Sequence, residues 1–117
     1  MKILNLTQHA ATPEQQAQGV FEPTPQDKAD IQYLLTFDEI PSKGGIRRRA
    51  DLLAMIANNY EADNIMIGGA PYLMAPLVLE IPNAVFAFSE RVSEEQHMPD
   101  GSVRKVNVFK HVGFVPA

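Results

Sequence analysis

Asn64-Ile65-Met66-Ile67-Gly68-Gly69-Ala70-Pro71 is the stretch whose reading decides the fold. Its apolar run is short enough for a buried strand, and the two glycines that follow permit a tight turn. Proline then stands where a helix would begin, a position at which its missing N–H costs nothing. A strand that passes through a glycine turn into a helix is an α/β signature. The following Tyr72–Leu79 is apolar almost throughout and is expected to be buried. Pro76 removes one helical hydrogen bond, which predicts a kink or a late helix start. Pro82-Asn83 closes that segment, and Ala84–Phe88 reads as another buried strand.

Upstream, Lys2–Leu6 reads as a strand running into the polar loop Thr7-Gln8-His9. Thr12-Pro13-Glu14-Gln15 carries the pattern of an N-cap, a first-turn proline and a capping box. Gly19 is placed to stop that helix. Val20-Phe21 is either a short strand or a buried connector. Thr24-Pro25-Gln26-Asp27 repeats the start signal and opens a helix to about Leu35, with Ala29, Leu34 and either Ile31 or Tyr33 facing inward. Phe37–Pro41 suits a connection. Ser42 can cap a longer helix, whose inward stripe is Ile46, Ala50, Leu53, Ala57 and Tyr60. Arg47-Arg48-Arg49 lies off that stripe and is expected to face solvent.

Downstream, Val103–Val112 pairs antiparallel with the preceding strand through an Asp100-Gly101 turn. The strands at Ile3, Ile65 and Val85 alternate with helices, so a parallel core with right-handed crossovers is the economical topology. One domain spanning 1–117 is expected.

Composition narrows the function classes. The chain has 117 residues, 45% of them hydrophobic and 21% charged, which is enough for an ordinary core. No apolar run approaches the ~18 residues of a membrane span. The first residues read as a strand rather than a signal peptide, so the cytoplasm is the expected location. With no cysteine there is no thiolate metal site, disulfide or thiol nucleophile. The net charge of -4 argues against duplex nucleic acid as a partner, while a small anionic ligand remains compatible.

Ligands of parallel sheets bind beyond the carboxyl ends of the strands. That rule gathers Thr7, Gln8 and His9, the Gly68-Gly69 turn, and Ser89-Glu90-Arg91. The glycine pair lacks the spacing of a dinucleotide or ATP fingerprint. His9 and His111 are candidates for proton transfer, and His97 is expected to be merely exposed. The three histidines have no metal-ligand spacing, so no metal and no cofactor is expected. Strand alternation places Lys110 with Val108 and Val112 on a side that looks buried, where it would need an acid or a phosphate as partner. His111 then faces the opposite way, with Phe109.

The closing residues Asp100-Gly101-Ser102-Val103, Val108-Phe109-Lys110-His111-Val112 and Phe114 resemble the C-terminal signature of a small CRISPR-associated protein family that includes standalone ring nucleases. Val85–Arg91, Leu6–His9, Thr12–Gln15 and Tyr72-Leu73-Met74 are similar to further parts of it. The resemblance implies a Rossmann-like three-layer domain acting as a homodimer on cyclic oligoadenylate second messengers. It also implies a metal-independent cleavage, in which a ribose 2′-hydroxyl attacks the neighbouring phosphodiester. Carried onto this chain, it points to His9, Arg91, Lys110 and His111 for catalysis, and to Thr7, Gln8, Gly68, Gly69 and Ser89 for ligand binding. The alternatives are a non-catalytic sensing or interaction module of the same fold, and an enzyme for another small phosphorylated ligand.

Overall fold

The computed structural model describes residues 1–117 as a five-stranded mixed sheet flanked by four helices. In chain order the elements are β1 (Ile3–Leu6), α1 (Pro13–Ala17), β2 (Val20–Phe21), α2 (Pro25–Leu35), α3 (Lys43–Asn58), β3 (Asn64–Ile67), α4 (Pro71–Glu80), β4 (Ala84–His97) and β5 (Val103–Pro116). The strand order is β2-β1-β3-β4-β5, with only β5 antiparallel to its neighbour. This is the expected Rossmann-like α/β layering with a C-terminal antiparallel strand. No helix is long and apolar enough to cross a membrane.

Local capping chemistry sets the helix starts. Thr12, Thr24 and Ser42 each accept a backbone N–H from the first turn, and Thr12 and Gln15 form the full reciprocal box. Gly19 ends the first crossover with φ +105°, and a Cβ there would overlap the Met1 carbonyl oxygen. Only glycine fits that left-handed position without displacing the amino terminus.

The alternation of each strand then sorts side chains between two unequal layers. Leu4 and Leu6 of β1, Ile65 and Ile67 of β3, and Ala84 pack against α2, α3 and α4 in a cluster of 16 buried residues. On the opposite face Ile3, Val20, Met66 and Val85 form a cluster of only five with Ala11. The five-residue helix α1 covers that face and buries none of its own residues. The third layer is therefore thin.

Several sequence expectations change. Ile31, not Tyr33, faces the core, and Ala29 is exposed. Helix α4 starts at Pro71 and runs through Pro76, so the late start does not occur. Only Leu73, Met74 and Leu77 of that helix are buried, while Leu79 is 85% exposed. Arg49 leaves the solvated patch expected for the arginine run. Its Nη1 donates to the carbonyls of Tyr33 and Leu34, each at 3.0 Å, and of Thr36 at 2.6 Å. Its guanidinium also lies 4.4 Å from the Phe37 ring centroid. A cation on the orphan carbonyls at the end of α2 satisfies both hydrogen bonding and the helix dipole. Arg49→Ala is expected to cost about 2 kcal/mol, given hydrogen bonds to a charged donor plus a partly exposed cation–π contact. Chemical denaturation checks this, and Arg48→Ala, an exposed neighbour, serves as the near-neutral control.

The largest departure is the length of the hairpin. β3 stops pairing at Ile67 opposite Phe86, yet β4 continues to His97. From Phe88 onward β4 has only β5 beside it, out to the pair His97–Val103. The hairpin thus projects as an arm beyond the carboxyl end of the sheet. The molecule measures 54 × 36 × 26 Å, and its radius of gyration of 16.7 Å exceeds the roughly 13 Å of a compact domain near this size. At the tip, Gly101 N–H donates to Met98 O, and the Asp100 carboxylate accepts from both the amide and hydroxyl of Ser102. Those bonds hold the Asp100 carboxyl below its ordinary pKa.

Candidate functional site at the β1–β3 switch point

β1 and β3 lie side by side, but their connections leave to opposite faces. β1 feeds α1 on the thin layer, whereas β3 feeds α4 in the helical layer. This divergence is the topological switch point where open α/β sheets bind ligands. A cleft of about 420 Å³ opens there. Its walls include Thr7, Gln8 and His9 from the first loop, Gly68 and Gly69 from the turn, and Ala87 from β4.

The first loop is shaped by a polar network that the sequence reading passed over. Asn5, in the middle of β1, is 2% exposed and faces the thin layer. Its Oδ1 accepts from the Thr7 amide at 3.0 Å and the Thr7 hydroxyl at 2.7 Å. Its Nδ2 donates to the His9 carbonyl at 2.7 Å and to the Glu22 carboxylate. Glu22 also accepts the Ala11 amide at 3.1 Å and meets Lys28 at 3.5 Å. One amide side chain thereby ties the loop to β2 while satisfying its own buried polar atoms. The only available sequence signal was a polar residue at the centre of an apolar strand.

Gln8 is fixed from another side, its Nε2 donating to Thr36 Oγ1 at the end of α2. The His9 ring is exposed, and only its backbone carbonyl joins the network. Gly68 runs past Thr7, with 3.6 Å between a hypothetical Cβ and Thr7 Cγ2. Beyond it, Ala70 caps α4 without a side-chain hydrogen bond. The amides of Gly69, Ala70 and Tyr72 donate to no backbone carbonyl of the chain. Free amides at a helix start, with the positive end of its dipole, suit an anion.

The remaining predicted residues lie outside these walls. Ser89 pairs with His111 at the base of the arm, just past Ala87. Arg91 lies further out, with its guanidinium 5.6 Å from the Phe109 ring centroid. Lys110 is not on a buried side: its side chain is 67% exposed and sits 3.9 Å from Glu94. The pairing slips between Phe88 and Ser89, leaving Val112 as the extra residue of a bulge, so the regular alternation that grouped Lys110 with Val112 fails. Lys110 and His111 do diverge. His111 turns to α1, its Nε2 2.9 Å from Gln18 Oε1 and its ring 4.9 Å from Phe114. Since Gln18 Nε2 donates to Val112 O, its oxygen must accept, which makes His111 Nε2 the protonated nitrogen. The buried Nδ1 then has no partner. His97 stays exposed near the tip.

A larger hollow, about 620 Å³, lies between α2 and α3. It is mostly apolar, with Asp30 its one ionised group, and it touches none of the strand-end loops. The cleft at the switch point has the better chemistry. No group of three or more His, Asp or Glu converges as metal ligands would.

No curated protein and no solved structure matches the chain. A family model does, over residues 1–115. The chain belongs to the Uncharacterized protein MJ1673 family.

Proposed function

We propose that the protein binds cyclic oligoadenylate at the β1–β3 cleft and cleaves it as a metal-independent ring nuclease, working as a homodimer. The observation that carries this reading is the convergence of His9, Thr7 and Gln8 with the Gly68-Gly69 turn in one cleft at a switch point. Of the unpaired amides at the start of α4, that of Gly69 lies in the cleft wall, where it offers an anion donor alongside a single ionisable side chain, His9. A cleft of about 420 Å³ falls in the range that encloses a drug-sized molecule, so it accommodates a nucleotide unit rather than a whole ring. A two-fold pair of clefts matches a ligand with two-fold symmetry.

In the proposed step the ribose 2′-oxygen attacks the adjacent phosphorus, and the bond from phosphorus to the 5′-oxygen breaks. The 2′-hydroxyl proton passes to His9, and the departing 5′-oxygen gains a proton from water. A linear product with a 2′,3′-cyclic phosphate results. In-line positioning and charge stabilisation by the amides provide the main acceleration.

One observation favours the second reading, a sensor that holds the ring without cleaving it: Arg91, Lys110 and His111 are absent from the cleft walls, which contain no arginine or lysine. Incubation with cyclic tetra-adenylate in excess EDTA separates the readings. Linear product with a cyclic phosphate end is the expected result. Binding by calorimetry without product establishes the sensor, and neither binding nor product overturns the proposal.

A further inference from the structure

One face of the arm begins inside the cleft. Val85 packs in the thin layer and Ala87 lines the cleft wall, so alternation carries Ser89 and Arg91 outward on that same face. The β5 partners agree. Phe114 packs against the thin layer opposite Ala87, His111 stands opposite Ser89, and Phe109 stands opposite Arg91. The end of α1 reaches the β5 half at His111, through Gln18. The β4 half stays open, because Ala87, Ser89 and Arg91 are all exposed. An uncovered track thus leads from the cleft to the Arg91–Phe109 stack.

Phe109 is 70% exposed, so its contact with Arg91 leaves most of the ring free for a second planar group. Arg91 carries a charge without an acid beside it: the ion pairs of the chain are Lys28–Glu22 and Lys110–Glu94. Its other neighbours on this face are Ser89, Ser93, Asn107 and His111, while alternation turns Glu90 to the far side. An open aromatic ring beside an unpaired arginine suits a single-stranded nucleotide chain, which offers a base to stack and a phosphate to neutralise.

Size identifies the occupant. The cleft of about 420 Å³ encloses one nucleotide unit. A cyclic oligoadenylate, the ligand on which this proposal rests, must leave its other units outside. Arg91 lies about 13 Å beyond Ala87 along an extended strand, so the group it meets belongs to a unit other than the one in the cleft. We infer that a second nucleotide of the ring binds on the arm, its adenine stacked on Phe109 and its phosphate against the Arg91 guanidinium. Both residues hold the ligand and neither enters the cleavage step. The arm then makes the protein prefer a ring to a mononucleotide, which fills the cleft alone.

Calorimetry with two probes tests this: a cyclic tetra-adenylate lacking its 2′-hydroxyls, which 2′-attack cannot cleave, and 5′-AMP. Phe109→Ile keeps an apolar, strand-favouring side chain but removes the aromatic face. It should weaken ring binding by about 10- to 100-fold, the range for one lost base stack. Arg91→Gln should weaken it by about 10-fold through the lost charge-assisted contact. Phe109→Tyr should bind the ring as wild type does, and all three variants should bind 5′-AMP within a few-fold of wild type. A wild type that does not bind the ring removes the ring reading, and this inference with it. Where wild type binds the ring, equal binding by Phe109→Ile or Arg91→Gln overturns this inference alone. So does loss of ring binding in Phe109→Tyr, or a parallel loss of 5′-AMP affinity.

Discussion

Asn5→Leu is expected to lower the stability of the protein by about 3 kcal/mol, roughly 10–15 °C in melting temperature. Leucine has the same branched shape and number of side-chain heavy atoms as asparagine, so the loss comes from hydrogen bonds rather than from a cavity. The substitution removes the acceptor of the Thr7 amide and hydroxyl, and the donor to His9 O and Glu22. A buried partner left unsatisfied costs its desolvation, about 1–3 kcal/mol, and the Glu22 carboxylate loses one of its fixed donors. Glu22 keeps Ala11 and Lys28, which limits the total. Glu22→Gln should therefore cost less than Asn5→Leu. The same change should loosen residues 7–11, read as lost amide protection in hydrogen exchange. A leucine variant melting within about 1 kcal/mol of wild type would show that the network shapes the loop without stabilising the domain.

What the sequence makes legible follows from the range of the forces involved. Thr12, Thr24 and Ser42 announce helix starts because a cap and its target amide lie three residues apart. Asn64–Pro71 announces a strand–turn–helix for the same local reason. From these the parallel core and the cleft loops follow through a topological rule. Asn5 was illegible because its partner Glu22 lies 17 residues away and reaches it only once β1 and β2 pair. Arg49 reaches back 13 residues to Thr36, so its run looked like a solvated patch. The position of Arg91 depends on where β3 ends, a fact about a different strand. That ending at Ile67 leaves Arg91 on a free arm instead of at the cleft. The same ending leaves β5 uncovered beyond the sheet, so Lys110, still on the face of Val108, is exposed rather than buried.

His9→Ala tests the proposed chemistry at its one ionisable wall. Turnover of the ring should fall about 10²–10⁴-fold, the usual contribution of a positioned acid or base. Melting temperature should not change, because the ring is exposed and the network engages only the backbone carbonyl of His9, which alanine retains. Ring affinity should stay within a few-fold, since the Gly69 amide in the cleft wall remains in place. This pattern, a lost rate with retained binding and stability, separates proton transfer from loop shaping. Asn5→Leu should produce the opposite pattern, with binding and stability falling together. If His9→Ala cleaves at the wild-type rate, the proton goes elsewhere, and the assignment of His9 fails while the cleft remains the binding site. If affinity falls with the rate, His9 acts by holding the ring. The outcome thus turns on whether a lone histidine among free amides suffices for catalysis, as positioning-dominated cleavage requires.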